Sequence, residues 1–575
     1  MKMRKRNVLS LRNTSLFVLL LLSVTTLSNA TERVGTKSSY LKNLENENNI
    51  SYDKIKNSPA IYITSMCYTN TKDNNGTFIS NPCYSCHTKG KIPSNFFDDS
   101  LLQKEYLFTA EKARKNPFSN LFKDRSRSVR KITDTDILHY VRESNYFDAN
   151  GSISLAQALP EDWKGYRPDC YFNFDAEGFD RDKEGKYTLW RAFRYYPFLG
   201  TFWPTNGSTD DVLIRLDPVF AQDAEGHFSK EVYKLNLSIV EAVIKRKEIK
   251  LPSEVDEILY GVDLNQNGKL DRSDRISVTN RHTLSYVGKA KKLLVQGKIH
   301  LKLGRFPANT EFLHSVRYLD WDEKAGHITM SARMKELRYA KKYAFRTYHQ
   351  VQEVASDEMQ KRGIESFTGD SRRALVWGNY EVGLDNNIGW KYQGFIEDKK
   401  GDLRPQTEEE TISCMGCHAH LGATTDSIFA FARKFEGVDK NSSNYGWNHW
   451  SQKGLRGIKE PQVIYDKIGK KYEYSFYLYN NHTGNEFRDN DEVRSKFFKP
   501  DGSAKKEMME KLHCDISVLL FPSYERAMML NKGYKILVGE QSYIYGREGN
   551  VKSVTHVKKV FKEGEKTGIK EVISR

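Results

Sequence analysis

The chain has 575 residues, of which 38% are hydrophobic and 29% charged, and its formal net charge is +16. This length accommodates several ordinary domains, and a composition with 32 tyrosines and 30 phenylalanines excludes a largely disordered protein. We expect a folded protein with a polar, moderately basic surface.

The first thirty residues have the parts of a secretory signal peptide. Lysines and arginines open the segment, an apolar run of about twelve residues follows, and Ser28 and Ala30 lie where signal peptidase reads small side chains. A membrane-spanning helix needs about twenty apolar residues, so an uncleaved anchor fits less well. No cysteine closely follows the apolar run, so no lipid anchor is indicated. We predict cleavage after Ala30 and a periplasmic or otherwise exported protein that does not span the membrane.

The pentapeptide CYSCH at 83–87 is the first chemical signal in the exported part. Two thiols one helical turn apart can each form a thioether with a haem vinyl group, and the next histidine can bind the iron. A zinc knuckle and a thiol-disulfide switch are the alternatives for one such motif. The choice depends on what the rest of the chain contains.

The region between 131 and 400 carries several structural patterns. The aromatic stretch 189–207 favours core packing with Arg191 and Arg194 over aromatic rings, although these arginines could also neutralise haem propionates. Apolar residues at helical spacing predict an amphipathic helix at 231–249 and a longer helix from about 332 to 362.

The segment DLNQNGKLDRSD at 263–274 matches a twelve-residue calcium loop. Glycine at the sixth position permits the tight turn, and the seventh residue offers its backbone carbonyl. The last position is Asp rather than Glu, and the following RISVT predicts a strand, so we expect an isolated structural loop that binds Ca²⁺. Its predicted ligands are Asp263, Asn265, Asn267, Lys269, Asp271 and Asp274.

A second pentapeptide, CMGCH at 414–418, decides between the alternatives for the first. Zinc ribbons place their CxxC pairs about fifteen to twenty residues apart, and a thioredoxin-like motif needs a βαβ context. We therefore predict covalent haem attachment at both motifs. The residues concerned are Cys83, Cys86 and His87, and Cys414, Cys417 and His418.

With its export signal and two such motifs, the chain resembles an exported di-haem c-type cytochrome. The resemblance implies two haem c groups held through the four motif cysteines, with His87 and His418 as axial ligands of the iron. It also implies electron transfer with exported redox partner proteins. An alternative is a peroxidase-like, oxygenase-like or sulfur-compound oxidoreductase with one ligand-accessible haem; no residue is assigned a catalytic role.

The group that faces each axial histidine across the iron stays open at this level. No methionine lies between Met66 and Met330, so the first motif lacks the usual downstream methionine. Cys67 has two interpretations: a thiolate ligand or redox-active thiol, or one member of a disulfide with Cys170 or Cys514. The candidate ligands are Met66, Cys67, His139 and Cys170 for the first motif, and His449 and Met508 for the second.

After the second motif, a capped short helix is predicted from about Thr424, a strand at 471–480, and a helix that begins near Ser523. The predicted fold class is α+β, with mainly helical haem-binding regions flanking a large mixed, loop-rich middle region. The predicted organisation is a signal peptide at 1–30, an N-terminal haem region at 31–130, a middle region at 131–400 and a C-terminal haem region at 401–575. Export and the lack of a binding motif disfavour nucleic acid as a partner.

Overall fold

The computed structural model describes residues 39–48, 63–71, 81–90, 98–108, 111–200, 204–279, 283–364, 377–418, 421–436, 443–481 and 488–575. The chain divides into two compact units, Met1–Ser51 and Tyr52–Arg575. The predicted signal peptide lies outside the described residues. In the described part of the first unit there is one helix, α1 (Ser39–Asn48).

The described residues form fourteen strands and fifteen α-helices. The strands are β1 (Phe179–Arg181), β2 (Tyr187–Phe193), β3 (Thr209–Asp210), β4 (Val212–Arg215), β5 (Ile249–Asp256), β6 (Arg272–Ile276), β7 (Glu311–Asp322), β8 (His327–Lys342), β9 (Trp377–Asn379), β10 (Gly383–Asp385), β11 (Trp390–Glu397), β12 (Leu403–Pro405), β13 (Gln462–Tyr465) and β14 (Gly469–Tyr472). The helices are α1 (Ser39–Asn48), α2 (Glu111–Arg114), α3 (Ser126–Val129), α4 (Asp134–Arg142), α5 (Ser154–Ala158), α6 (Lys230–Lys245), α7 (Gly288–Val295), α8 (Tyr348–Ile364), α9 (Glu408–Ile412), α10 (Met415–His418), α11 (Glu473–Asn481), α12 (Asp491–Phe497), α13 (Lys506–Cys514), α14 (Ser517–Leu520) and α15 (Tyr524–Glu540).

One antiparallel sheet organises the described residues of the second unit. It has ten strands in the order β1-β2-β4-β7-β8-β11-β10-β9, with β3 also paired to β7 and β12 to β11. The long strands β7 and β8 pair along most of their length, and β11 continues the sheet on the other side of β8. Two separate hairpins, β5-β6 and β13-β14, complete the strands of the described part.

This sheet shows that the predicted architecture was wrong. The chain is mixed α and β with a large antiparallel sheet, rather than helical haem-binding regions around a loop-rich middle. The central part of β7 is buried on both faces, so its sequence lacks the alternation of apolar and polar residues that marks a half-exposed strand. That is why the sheet could not be seen from periodicity.

The predicted helix at 332–362 is also wrong in its first half. This half belongs to β8, and only the second half is helical, as α8. Residues with good helix propensity fill β8, yet pairing with β7 and β11 satisfies its backbone and buries Met334 and Leu337. Tertiary pairing therefore overrides local propensity here.

Two predicted helices are confirmed, and both have a serine cap. The Ser229 side chain accepts a hydrogen bond from Val232 N at the start of α6, and Ser523 accepts one from Arg526 N at the start of α15. The apolar face of α6 is buried in the main hydrophobic cluster together with Phe312 and Trp390 of the sheet. The strand predicted at 275–279 is confirmed only in part, because β6 begins inside the calcium-loop pattern, at Arg272, and ends at Ile276.

Two other local predictions are wrong. The alternating segment 471–480 forms the helix α11, because Tyr474, Tyr477 and Leu478 share one buried helical face. The segment after Thr424 is irregular, with only a short 3₁₀ turn at Phe431–Arg433. Asp426 and Ser427 both have left-handed backbone angles, with φ of 49° and 64°, which breaks any helix at that point.

The aromatic stretch packs as expected in its described part. The Arg191 guanidinium lies 4.1 Å from the Trp447 ring centroid and 4.4 Å from that of Phe179. Arg194 lies 5.1 Å from the Phe435 ring centroid. Across the described ranges, no helix is both long and apolar enough to cross a bilayer.

Candidate functional site

The first CxxCH motif lies on a short 3₁₀ helix, Pro82–Ser85, capped by Asn81. The Asn81 side chain accepts a hydrogen bond from Cys83 N at 2.8 Å and donates one to the Gln103 carbonyl at 2.8 Å. His87 N donates to the Cys83 carbonyl at 2.7 Å, which closes one turn around the motif. Local hydrogen bonds therefore place both cysteines and the histidine on one turn.

The His87 imidazole lies between a carboxylate and a thiol. Its Nδ1 is 2.7 Å from Asp99 Oδ2, and the Asp99 side chain is 2% exposed. Burial alone lowers the pKa of His87, but Asp99 and Cys67 together outweigh burial and raise this pKa to about 10. The Cys67 thiol makes the other polar contact of the ring. Burial raises the pKa of Cys67, but His87 and the hydrogen bonds from Thr64 together outweigh burial and lower this pKa. The arrangement favours a thiolate at Cys67.

The second motif follows the buried helix α9 and continues into α10. Thr407 and Glu410 form a capping box at the start of α9, and Arg404 binds Glu410 through both guanidinium ends at 2.8 and 2.9 Å. His418 N donates to the Cys414 carbonyl at 3.1 Å, as His87 N does to Cys83 in the first motif. The two motifs thus share the same local turn.

His418 is held in a different electrostatic environment from His87. Its Nδ1 lies 2.9 Å from the Ser427 carbonyl, which can only accept, so Nδ1 carries the proton. Burial lowers the pKa of His418 to about 4. The ring is therefore neutral at physiological pH, and its Nε2 has a free lone pair, the form in which imidazole binds metals.

Several buried groups fix the position of Ser427. Asn386 Nδ2 donates to the His418 carbonyl at 3.0 Å and to Ser427 Oγ at 3.2 Å. The neighbouring Asp426 carboxylate accepts from Lys342 Nζ at 2.6 Å and from Arg305 at 2.6 Å, and all three side chains are buried. This buried cluster holds the left-handed turn that presents the Ser427 carbonyl to His418.

The two motifs lie next to each other in space despite their separation in sequence. A Cβ atom at Gly422 would overlap the Thr88 carbonyl, so the segments that follow the two histidines are in direct contact. Burial raises the pKa of the Cys86 thiol well above its usual value, and the nearby Cys417 and Cys67 thiols add to this shift. The fold therefore brings three separate cysteine-containing segments to one site.

Charged residues of the sheet and of the segment after α15 lie beside the second motif. Arg338 on β8 and Arg547 both interact electrostatically with Cys414, and both bind Glu336, at 2.9 and 2.8 Å. His314, paired across the sheet with Arg338, is close enough to His418 to interact with it electrostatically. The site thus has two cations and a second histidine beside the C-terminal motif.

The other candidate ligands are distributed unevenly. Met66 and Cys67 pack against the hydrophobic cluster beside the first motif, and Met508 packs against the cluster that contains Tyr84. His139 is exposed on α4 and faces Glu143, while Cys170 is buried near Asp180. In His449 both ring nitrogens are engaged, Nε2 with Asp211 at 2.8 Å and Nδ1 with Ser451 Oγ at 2.7 Å. Of these residues, only Cys67 contacts a motif histidine in the polar contacts described above.

None of the seven cysteines, all of which lie in the described residues, forms a disulfide. Nor do the described residues contain a group of three His, Cys, Asp or Glu side chains arranged to hold a metal ion. The sequence reasoning missed Asp99, Asn386, Ser427 and His314. Asp99 and Ser427 follow their histidines by twelve and nine residues, but no sequence motif marks either acceptor.

The calcium-loop pattern folds as a tight polar loop. Asp263 accepts from Asn267 N at 3.1 Å and Gly268 N at 2.8 Å, and Gly268 has a φ of 86°. The Asn267 side chain donates to Asp271, whereas the Asp274 side chain binds Arg275 at 2.8 Å. The buried Glu257 accepts from the backbone of Leu264, Asn265 and Asp271 and so braces the loop from outside the pattern.

The comparisons with known proteins give the family. Residues 52–515, which include both CxxCH motifs, match a family of lipoproteins. The chain belongs to this lipoprotein family. An uncharacterized lipoprotein of Aquifex aeolicus (strain VF5) is 31% identical over 535 residues, which cover 86% of each chain. No solved structure matches the chain.

This membership corrects the resemblance to the di-haem c-type cytochromes, which is wrong as a family assignment. The resemblance depended on two pentapeptides, and so short a pattern can occur without common descent. Lipoproteins are exported proteins, so membership of this lipoprotein family agrees with the predicted export. The first cysteine of the chain is Cys67.

Proposed function

We propose that the protein binds two haem groups covalently, at Cys83 and Cys86 and at Cys414 and Cys417, and passes electrons between exported redox partners. The observation that carries this proposal is the side-by-side position of the two motifs, each with its histidine oriented through Nδ1. When bound, haem supplies one-electron redox chemistry at its iron.

The donor set fits this cofactor. Each motif has two thiols on one turn and a histidine whose Nδ1 is already occupied. In the neutral His418 this leaves Nε2 to bind a metal, whereas His87 would first have to lose a proton and its contact with the Cys67 thiol. The Ser427 carbonyl holds the neutral His418 ring and Asn386 holds the His418 backbone carbonyl, so little reorganisation is needed there. Arg338 and Arg547 place positive charge beside the second motif, where an anionic group of a cofactor would be stabilised.

The two histidines would not be equivalent as ligands. His87 donates to a carboxylate, which makes the imidazole a stronger electron donor, whereas His418 donates to a neutral carbonyl. The Cys67 thiol contacts His87, so Cys67 would lie beside a haem held at the first motif. A thiol at that position favours a second candidate function, an oxidoreductase acting on a sulfur compound.

Haem content tests the proposal directly. The protein is produced with export and haem attachment intact, and its covalent haem is counted by the pyridine haemochrome method and intact mass. We expect two haems per chain in the wild type, and one each in Cys83→Ser/Cys86→Ser and in Cys414→Ser/Cys417→Ser. Cys514→Ser is the matched control, because Cys514 is exposed and outside both motifs, and it should keep both haems. Fewer than two haems in the wild type would falsify the proposal.

Spectra of the oxidised protein separate the two candidate functions. If both irons are low-spin and do not respond to cyanide, the electron carrier is supported. A high-spin or ligand-accessible iron, or a sulfur substrate that reduces the protein, supports the oxidoreductase instead. Cys67→Ser should shift the spectrum of the first haem more than that of the second, since the Cys67 thiol contacts His87.

We also propose a periplasmic location with the signal peptide cleaved after Ala30. The basic opening, the apolar run and the small residues at 28 and 30 support this, as does membership of a family of exported proteins. The N-terminal sequence of the mature protein, purified from a fractionated cell, tests it. A mature chain that still begins at Met1 would contradict cleavage.

A further inference from the structure

The two motif histidines are held by groups of different charge. The buried carboxylate of Asp99 lies 2.7 Å from His87 Nδ1. The Nδ1 of His418 lies instead 2.9 Å from the neutral Ser427 carbonyl. The first histidine thus has an anion at Nδ1, whereas the second has an uncharged dipole there.

Positive charge lies beside the second motif. Arg338 on β8 acts electrostatically on both Cys414 and His418, and Arg547 also acts on Cys414. Both arginines bind Glu336, at 2.9 and 2.8 Å, so two positive charges meet one negative charge. The net charge of this group is positive, in contrast to the carboxylate at the first motif.

A buried amide side chain fixes the backbone at the end of each motif. Gln103 Nε2 donates to the His87 carbonyl at 2.6 Å, and Asn386 Nδ2 donates to the His418 carbonyl at 3.0 Å. Gln103 is 1% exposed and Asn386 2%. The fold therefore sets the position of both histidines, and cofactors attached beside them would be held at a fixed separation.

The two motif segments touch at Gly422. A Cβ atom there would overlap the carbonyl of Thr88, the residue directly after His87. Gly422 does not have a positive φ, so the close approach, and not the backbone conformation, is the reason for a glycine at this position. Cys86 and Cys417 are also close enough to interact electrostatically. Haems attached at the two motifs would therefore be neighbours.

These environments give the two sites different affinities for an electron. Reduction of a haem adds one negative charge, which a nearby cation stabilises and a nearby carboxylate disfavours. A carboxylate bound to the axial histidine also makes the imidazole a stronger donor, which favours the oxidised iron. Asp99 therefore lowers the reduction potential at the first motif, whereas Arg338 and Arg547 raise it at the second.

We propose that the two sites form an ordered electron relay, in which the first motif has the lower reduction potential and passes its electron to the second. This inference rests on the proposed binding of haem at both motifs. The step is a one-electron exchange: the first iron goes from ferrous to ferric, the second goes from ferric to ferrous, and no proton is transferred. An exported one-electron donor would reduce the first site, and an exported acceptor would oxidise the second.

A redox titration of the full mature protein, followed by visible spectra, tests the direction of the relay after the haems have been counted. Asp99→Asn should raise the lower midpoint potential by about 59 mV, a tenfold change for one electron, and leave the higher one nearly unchanged. Arg338→Gln should lower the higher potential, and Arg338→Lys, which keeps the charge, should restore it. Cys83→Ser/Cys86→Ser, which keeps only the second haem, should show the higher potential.

The rate of electron exchange after pulse reduction tests the contact between the two segments. Gly422→Ala should slow this exchange at least about tenfold with both haems still bound, because its Cβ atom forces the segments apart. Gly539→Ala is the matched control, since a Cβ atom there would have nothing within 4 Å, and it should exchange like the wild type.

The contrary outcomes separate the relay from haem binding itself. Fewer than two haems in the wild type would overturn the proposed function, and the relay with it. Two haems with equal or reversed potentials, or potentials that do not respond to Asp99→Asn, would overturn the relay alone. Equal exchange rates in Gly422→Ala and Gly539→Ala would also overturn it.

Discussion

The carboxylate of Asp211 shows how a single buried residue organises a loop near the sheet. It accepts hydrogen bonds from Ser315 N and Ser315 Oγ, both at 2.8 Å, and from the His449 ring at 2.8 Å. Ser451 N donates to His449 Nδ1 at 3.1 Å, so Nδ1 is the acceptor and Nε2 carries the proton towards Asp211. This fixed tautomer makes His449 a structural residue that joins the loop to β7.

Asp211 also gives a prediction about pH. Burial raises its pKa, but His449 and the other donors outweigh burial and lower the pKa to about 2. Because the folded pKa lies below the unfolded value, the carboxylate stabilises the fold above about pH 4 and loses this effect as the pH falls through about 2. Asp211→Asn should therefore lower the free energy of unfolding at pH 7 by about 2 kcal/mol, and this deficit should shrink as the pH falls towards about 2.

Urea unfolding followed by circular dichroism at several pH values measures this difference. Asp501→Asn is the control, because Asp501 is exposed and bonds only to its own turn. A deficit for Asp211→Asn that is constant between neutral pH and acid would contradict the role of its charge.

At the level of single residues, the sequence marks the motif residues but not the groups around them. The motif histidines could be named as candidate ligands because of their spacing from two cysteines. Asp99 and Ser427 could not be named, because any carboxylate or carbonyl can accept a hydrogen bond and only the fold selects one. The contact between Gly422 and Thr88 depends on folding of the whole region between the motifs, so no local pattern encodes it.

At the level of elements, prediction succeeded where a cap and an amphipathic face agreed. The helix α6 begins at a serine cap and buries one face, and both signals point to the same structure. The strand β8 and the helix α11 were misassigned because their burial is set by partners in the fold. The strand β8 pairs with β7 on one side and with β11 on the other. The α11 segment also shows an alternation of aromatic and polar residues, which obscures the helical spacing of its buried side chains.

The 263–274 loop remains a predicted calcium site, and its geometry makes the prediction testable. Asp263 and Asn267 already converge through hydrogen bonds around the left-handed Gly268. Because only the folded loop can bind the ion, Ca²⁺ at about a hundred times its dissociation constant should stabilise the protein by about 2.7 kcal/mol.

Thermal unfolding with Ca²⁺ and with EGTA measures this stabilisation. Asp263→Ala should abolish the response to Ca²⁺. Asp322→Ala is a matched control, because Asp322 also accepts backbone hydrogen bonds in an exposed turn but lies outside the calcium pattern. An equal melting temperature in Ca²⁺ and in EGTA would contradict the prediction that the 263–274 loop binds Ca²⁺.

At the scale of the whole molecule, the C-terminal segment closes over the region of the first motif. Lys558 N donates to the Tyr68 carbonyl at 2.9 Å, and Asn70 N donates to the His556 carbonyl at 3.0 Å. Phe561 lies 4.2 Å from the Tyr106 ring centroid and contacts Tyr68 and Phe108. Cys67 packs against this cluster, so the environment of the first motif depends on residues almost five hundred positions away.

This closure predicts that Phe561 protects Cys67. Phe561 is 2% exposed, and Phe561→Ala should cost about 3–5 kcal/mol locally because it removes a large side chain from a packed cluster. The segment that carries Cys67 should then open more often, and alkylation of Cys67 should become at least about tenfold faster, since each 1.4 kcal/mol changes an opening equilibrium tenfold.

The rate is measured by mass spectrometry after a timed exposure to iodoacetamide. The exposed Cys514 serves as an internal standard that should react equally in every variant. Val560→Ala is the matched control. The Val560 side chain, next to Phe561 in the sequence, is 61% exposed, so its removal leaves the cluster intact. If Cys67 reacts at the same rate in Phe561→Ala and Val560→Ala, the C-terminal segment does not shield the first motif.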